Sequence, residues 1–200
     1  MFTALALAFP DIDPIAINLF GIAIRWYALA YIAGIMGAWW YIGWLGRCCP
    51  PALLTKEQRD DMIVYGVLGV VLGGRIGYVL FYNLSYFLDH PQDILKMWQG
   101  GMSFHGGTLG VITAFYLFSR IKSVPYLQLM DRICCAVPIG LFFGRLANFV
   151  NGELYGRVTE VSWGIVFPHG GAMPRHPSQL YEAVLEGLVL FTLLLLCATR

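Results

Sequence analysis

The chain has 200 residues, of which 58% are hydrophobic and only 12% are charged, and its formal net charge is +1. Soluble domains carry about 25% charged residues, so this composition excludes an ordinary soluble domain and indicates a protein that lies in a lipid bilayer. The small net charge and the lack of a basic cluster argue against a nucleic-acid partner. The spacing of the cysteines and histidines fits no metal site.

Residues 1–17 begin the chain with a short apolar stretch, which is followed by aspartates and prolines. No basic residues precede this stretch, and it is too short to cross a membrane, so it does not match a signal peptide. We expect residues 1–17 to lie on the membrane as an interfacial segment.

Five later segments approach the ~20 apolar residues that are needed to cross a hydrocarbon core. Glycine and aromatic residues are frequent inside them, as is typical of packed spans with aromatic belts. The sequence therefore predicts an all-α integral membrane protein, a multi-pass helical bundle of about five spans in a single transmembrane domain over residues 1–200. The five segments are roughly Ile22–Gly46, Met62–Tyr82, Phe104–Arg120, Ile133–Val150 and Gln179–Thr199.

The distribution of lysine and arginine orients the predicted bundle. These residues are concentrated in the connections after the first and third spans, which favours a cytoplasmic location for residues 47–61 and 120–132. Residues 83–103 and 151–178 then lie outside. We expect residues 151–178 to form a small external cap on the bundle.

Two of the predicted spans carry polar residues of interest. Tyr27 stands at the start of the first span, where it is either an aromatic belt residue or part of a site. Arg75 lies within the second span among Gly73, Gly74 and Gly77. These glycines predict a groove on one helix face, in which another helix or an acyl chain can lie close.

A histidine opens the third predicted span. His105 is surrounded by glycines on both sides, and it is either a helix-end histidine bonded to backbone or a general base at a reacting centre. Because glycines let a ligand approach the backbone closely, they favour the second interpretation. His176, just before the fifth span, is a weaker candidate of the same kind.

The run from Gly144 to Gly156 carries the strongest functional signal, since it brings charged and amide side chains out of an apolar span. A charged side chain deep in a span costs at least about 2.5–3.5 kcal/mol, so it persists where it has something to bind. The planar guanidinium of Arg145 suits a phosphate, although an arginine that snorkels to the interface is the alternative. Glu182 and Glu186, four residues apart on one helix face, are the expected partners of the intramembrane arginines.

Four blocks of the chain resemble, in order, those of the prolipoprotein diacylglyceryl transferase family. They are residues 73–83, 100–107, 144–156 and 175–182, and together they cover most of the chain after the first span. Ala147 replaces a glycine of the family pattern, which is a small-for-small change.

The family has about seven spans, and its two C-terminal spans carry another important arginine. These spans have no counterpart before Arg200. We therefore expect either a fragment or a chain with compromised activity.

The resemblance implies an enzyme of the bacterial inner membrane, with its active site toward the outer face. Such an enzyme transfers the diacylglyceryl group of phosphatidylglycerol to the lipobox cysteine of a prolipoprotein, forms a thioether and releases glycerol phosphate. Its partners are phosphatidylglycerol, the prolipoprotein signal peptide and the lipid bilayer. The chemistry requires no metal and no redox cofactor.

The resemblance also suggests substrate-binding roles for the 144–156 block. Arg145 is expected to bind the phosphate of phosphatidylglycerol, while Asn148 and Asn151 orient its glycerol portion. Glu153 is expected either to hold Arg145 or to bind a headgroup hydroxyl. Gly156 is expected to allow the lipid to approach closely.

The remaining predicted site residues lie outside that block. His105 is the leading candidate for the base that deprotonates the thiol, and Tyr27 either shapes the headgroup pocket or assists the proton transfer. Arg75 is assigned to substrate binding. Two other functions compete with the transferase: a non-catalytic lipid or anion carrier, which the lack of an internal repeat disfavours, and a purely structural membrane subunit.

Overall fold

The computed structural model describes residues 7–10, 12–19, 21–49 and 52–199. These residues fold into two compact units, one formed by Met1–Ile42 together with Ile133–Arg200 and the other by Gly43–Arg132. The structure is mainly helical, which confirms the predicted class. Residues 1–6 and 11 of the predicted interfacial segment lie outside the described residues.

Four helices of the described chain are long and apolar enough to cross a membrane: Trp26–Cys48 (α1), Lys56–Phe81 (α2), Tyr126–Val150 (α5) and the last span, Ser178–Ala198. The remaining predicted segment, Phe104–Arg120, is also helical: it forms the 19-residue helix Phe104–Lys122 (α4), which is less apolar than the other four. Its histidine, small polar residues and basic C-terminal end reduce its apolar character.

The unit Gly43–Arg132 is built around the packing of α2 against α4. Thr55 caps α2 in a capping box with Gln58, which satisfies amides at the start of the helix. Farther along α2, a Cβ on Gly77 would lie 2.7 Å from the Cα of Gly106 in α4. The groove predicted on α2 is therefore filled by another helix, because only glycine lets the two backbones approach this closely.

A short irregular connection joins α2 to α4. It contains the helix Leu84–Asp89 (α3) and two 3₁₀ turns, Pro91–Leu95 and Met97–Gln99. Ser103 then caps α4 by accepting a hydrogen bond from the amide of Gly106.

The other unit contains strands that the sequence interpretation did not expect near the N-terminus. Ile15–Leu19 (β2) and Ile22–Arg25 (β3) form an antiparallel hairpin, so α1 begins at Trp26 rather than at Ile22. Leu7–Ala8 (β1) pairs in parallel with Ile165–Val166 (β4), which belongs to the segment 151–178.

The last span is not a uniform α-helix. It starts as Ser178–Glu182 (α6), widens into a π-helical segment at Ala183–Val189 and continues as Leu190–Ala198 (α7). A Cβ on Gly187 would lie 2.8 Å from the Cβ of Phe142 in α5. Gly187 therefore sets the close approach of the last span to α5, one turn away from Arg145.

Candidate functional site

Arg145 lies between two carboxylates of the last span. Its Nε is 2.9 Å from Oε2 of Glu182, and its Nη2 is 3.2 Å from Oε2 of Glu186. The two glutamates are four residues apart, which places them on the same side of the helix. Their predicted pairing with an intramembrane arginine is confirmed for Arg145, whose side chain remains 28% exposed.

Glu153 was predicted either to hold Arg145 or to bind a headgroup hydroxyl, and the structure does not pair it with Arg145. One of its oxygens, Oε1, accepts hydrogen bonds from Nδ2 of Asn148 at 3.0 Å and from Nδ2 of Asn151 at 3.2 Å. The described ion pairs of Arg145 involve Glu182 and Glu186 instead. The structure thus joins Asn148, Asn151 and Glu153 in one cluster at the C-terminal end of α5.

Gln179 completes this cluster, and sequence reasoning did not select it. Its side chain is fully buried, and its Nε2 donates to the main-chain oxygen of Glu153 at 2.6 Å. The side-chain oxygens of Gln179 and Asn151 are buried and have no hydrogen-bond partner among the described residues. Buried acceptors of this kind are costly unless a ligand or water satisfies them. The one sequence signal that could have pointed to Gln179 is its position directly after Pro177 and Ser178, where the last helix begins.

Tyr27 belongs to the same unit as this cluster. It is the second residue of α1, its ring centroid lies 5.1 Å from that of Tyr31, and its hydroxyl lies near the side chains of Asn148 and Glu153. The structure therefore brings Tyr27 together with the residues predicted to surround the headgroup.

Gly156 is packed against His176 and does not border open space. Its amide donates to the main-chain oxygen of His176 at 2.9 Å, and a Cβ at this position would lie 3.0 Å from the Cβ of His176. Nearby, Oγ of Ser178 donates to the main-chain oxygen of Leu154. The contacts of Gly156 thus favour a role in packing the segment before the last span, and not the close approach of lipid that was predicted.

Arg75 has contacts that differ from those expected of a substrate-binding residue. It is 5% exposed, and its guanidinium donates to main-chain oxygens at distances from 2.6 to 3.5 Å. A guanidinium has five N–H groups, so these contacts use its whole capacity. Arg75 therefore holds the connection between α3 and α4, and its contacts favour this structural role over the predicted role in substrate binding. The accepting residues are Asp93, Ile94, Lys96, Gly100 and Gly101.

The structural role of Arg75 leads to a prediction about stability. We expect Arg75→Lys to destabilise the protein by at least about 2 kcal/mol, because a lysine cannot satisfy all the carbonyls that Arg75 leaves buried. Thermal unfolding in detergent measures this effect, with Arg120→Lys at an exposed position of the same unit as the control. A variant that unfolds like the parent but no longer binds phosphatidylglycerol would restore the substrate-binding assignment.

His105 lies in the other unit from the Arg145 cluster. It is the second residue of α4, immediately after the Ser103 cap, and it is exposed. Its ring meets that of Phe104 edge-on, with 5.8 Å between the centroids. An exposed imidazole in the first turn of a helix is accessible to a substrate, so this position is compatible with the predicted role as a base.

The fold and the site define a class of protein. It is a multi-pass membrane protein in which a guanidinium, amides and carboxylates gather where α5 and the last span meet the segment 151–178. Such a group of donors and acceptors suits an anion that also carries hydroxyl groups.

The chain belongs to the prolipoprotein diacylglyceryl transferase family, whose model matches residues 14–200. It is 61% identical over 190 residues to a phosphatidylglycerol–prolipoprotein diacylglyceryl transferase of Paramagnetospirillum magneticum, covering 94% of this chain and 70% of the relative. The protein of the same name from Rhodospirillum rubrum is 56% identical, over 94% of this chain and 69% of the relative. A third relative of this name, from Nitratidesulfovibrio vulgaris strain DP4, is 50% identical over 97% of this chain and 73% of the relative. The resemblance carried by the four sequence blocks is thus confirmed, and it favours the transferase over the carrier and the structural subunit.

Proposed function

We propose that this chain transfers the diacylglyceryl group of phosphatidylglycerol to the thiol of the lipobox cysteine in a prolipoprotein. A carbon–sulfur bond forms, the bond between the glyceryl carbon and the phosphate oxygen breaks, and glycerol phosphate leaves with the electron pair. The thiol proton passes to a base. The observation that carries the proposal is the cluster of Arg145, amides and carboxylates in a chain of this family.

Arg145 is the proposed phosphate ligand. Its guanidinium can donate two parallel hydrogen bonds to phosphate oxygens, and it places a positive charge where negative charge grows as the carbon–oxygen bond breaks. The partly exposed position of its side chain supports this role, since a guanidinium enclosed by protein could not meet a lipid.

The amide and carboxylate cluster is proposed to bind the glycerol part of the headgroup. Asn151 has a buried side-chain oxygen without a partner among the described residues, which a headgroup hydroxyl can satisfy by donating to it. Glu153 and Asn148 hold the turn in which Asn151 lies. This arrangement supports recognition of a headgroup that carries hydrogen-bond donors.

His105 is proposed as the base that accepts the thiol proton. A cysteine thiol has a pKa of about 8.5 when free, so only a small fraction is thiolate at neutral pH and a nearby base increases reactivity. Tyr27 is proposed to shape the headgroup pocket, because its hydroxyl lies near the side chain of Asn148. Tyr27 is also the second candidate for the base.

The proposed reaction is tested by incubating the purified chain with a lipobox peptide in vesicles that contain phosphatidylglycerol. We expect the peptide to gain the mass of a diacylglyceryl group and glycerol phosphate to be released in equal amount. A peptide with serine in place of the cysteine is the control, and the Rhodospirillum rubrum relative is the reference enzyme. Binding of phosphatidylglycerol without any transfer, while the reference enzyme is active, would instead favour the carrier.

We further propose that the chain lies in the bacterial inner membrane with residues 83–103 and 151–178 outside. Reporter fusions after Arg59 and Lys122 are expected to give a cytoplasmic signal, and fusions near Asp93 and Gly170 an external one. The reason is the excess of lysine and arginine in the two predicted cytoplasmic connections. An external signal after Lys122 would contradict this orientation and would place Arg145 at the wrong face for an exported substrate.

A further inference from the structure

The charges around Arg145 do not balance. One guanidinium faces two carboxylates, so with all three groups ionised the cluster of Arg145, Glu182 and Glu186 has a net charge of −1. A lipid phosphodiester also carries one negative charge, and like charges at short range repel each other, strongly so where water is scarce. The cluster as the structure shows it therefore opposes the anion that Arg145 is proposed to bind.

The two glutamates also occupy one of the two edges of Arg145 at which a phosphate can accept two hydrogen bonds. Nε and Nη2 form one fork of the guanidinium, and one oxygen of each glutamate lies next to one of these two atoms. A phosphate that binds this fork with two hydrogen bonds must displace a glutamate. Displacement of one glutamate would also leave a neutral Arg145–glutamate pair and remove the excess negative charge.

We propose that Glu186 is the carboxylate that the lipid phosphate displaces, whereas Glu182 remains on Arg145 as a positioning residue. This inference rests on the proposed function, because it concerns how the same site accepts its anionic lipid. It assigns unequal roles to two residues of identical chemistry.

The surroundings of the two glutamates support this distinction. Glu182 ends the short helix α6, whose Ser178 and Gln179 are tied by hydrogen bonds to the main-chain oxygens of Leu154 and Glu153. Glu182 is thus attached to an anchored turn. Its side chain is the less exposed of the two, at 35%, and its Oε2 lies 2.9 Å from Nε of Arg145, as an ion pair without hydrogen-bond geometry.

Glu186 lies instead within the π-helical segment Ala183–Val189. π-helical turns are rare, occur mostly as single widened turns within α-helices and are frequent at functional sites. The side chain of Glu186 is 44% exposed, and its contact with Arg145 is 3.2 Å long. Glu186 accepts a hydrogen bond from Nη2 of Arg145, and it has the more open surroundings into which it can move.

The inference is tested with the isosteric variants Glu186→Gln and Glu182→Gln. We expect Glu186→Gln to lower the KM for phosphatidylglycerol about tenfold with a smaller change in kcat, because a neutral amide competes less well for Arg145 than a carboxylate does. Glu182→Gln is expected to lower kcat and to raise KM, because Arg145 loses its orientation. A purely structural role would give both variants the same kinetic change.

The measurements use mixed vesicles of phosphatidylcholine and phosphatidylglycerol, in which the phosphatidylglycerol fraction is varied. Glu160→Gln removes one carboxylate from an exposed position in the same unit and is the matched control. Thermal unfolding of each variant shows whether it is folded. If Glu186→Gln and Glu186→Ala both fail to fold, Glu186 is a structural partner of Arg145 and the inference is wrong.

Failure of this inference can be separated from failure of the proposed function. If the parent chain transfers the diacylglyceryl group and Glu186→Gln has an unchanged or raised KM, the unequal roles are refuted while the transferase function remains. If the parent neither binds phosphatidylglycerol nor transfers from it, both proposals fail. Equal effects of the two substitutions would also refute the assignment of Glu186 as the displaced group.

Discussion

Replacing Arg145 by lysine is expected to reduce transfer about 10- to 100-fold although the positive charge is retained. A lysine ammonium is a point charge and cannot reproduce the two parallel hydrogen bonds of a guanidinium fork. Loss of one charge-assisted contact is worth roughly 1.5–3 kcal/mol, which corresponds to about one to two decades in rate. The structure adds a second reason. Arg145 meets Glu182 through Nε and Glu186 through Nη2, and a lysine has only one nitrogen with which to meet both carboxylates.

The measurement for Arg145→Lys is the transfer rate as a function of the phosphatidylglycerol concentration. Arg157→Lys, at an exposed position in the segment 151–178, is the matched control and is expected to keep the parent rate. If Arg145→Lys remained within twofold of the parent, Arg145 would be an arginine that merely reaches the interface. The phosphate ligand would then have to be sought elsewhere in the chain.

Replacing His105 by glutamine is expected to slow transfer about 10²–10⁴-fold while phosphatidylglycerol binding is retained. The range is that of general acid–base catalysis, and the separation of rate from binding follows because a base acts on the thiol and not on the lipid.

Transfer and lipid binding are measured side by side for His105→Gln. His90→Gln is the matched control, because His90 is also exposed and belongs to the same unit of the chain. Loss of lipid binding in His105→Gln would place His105 among the headgroup ligands. Unchanged turnover would make it an ordinary residue of the helix start and would make Tyr27 the next candidate for the base.

The apolar pattern was sufficient to predict most of the spans because their stability in a bilayer depends on length and composition, which are local properties. Four of the five expected segments became helices long and apolar enough to cross a membrane. The extent of the first was misjudged, because Ile22–Arg25 is as apolar as the helix that follows but pairs with Ile15–Leu19 in a hairpin. Hydropathy cannot distinguish an apolar strand from the first turn of a span.

The 144–156 block and the pair Glu182 and Glu186 were also recognisable from sequence. Charged residues at the end of an apolar segment are conspicuous, and a separation of four residues places two side chains on one helix face. The pattern could not show which arginine the glutamates meet, since Arg25, Arg75 and Arg145 all lie in or near spans. That choice depends on which helices pack together.

The individual partners within the site were decided by tertiary structure alone. Arg75 looked like Arg145 in sequence, yet it is enclosed by carbonyls of the connection to α4, and the first of these, in Asp93, lies 12 residues after the end of its own helix. Gln179 was not selected, because a single glutamine becomes informative only when it is buried against the main chain of Glu153. The sequence by itself determined which segments enter the bilayer and where the polar block lies, since both follow from local composition. Which of those polar groups hold the fold and which remain available to a lipid depends on contacts between distant segments, and so only the tertiary structure could decide it.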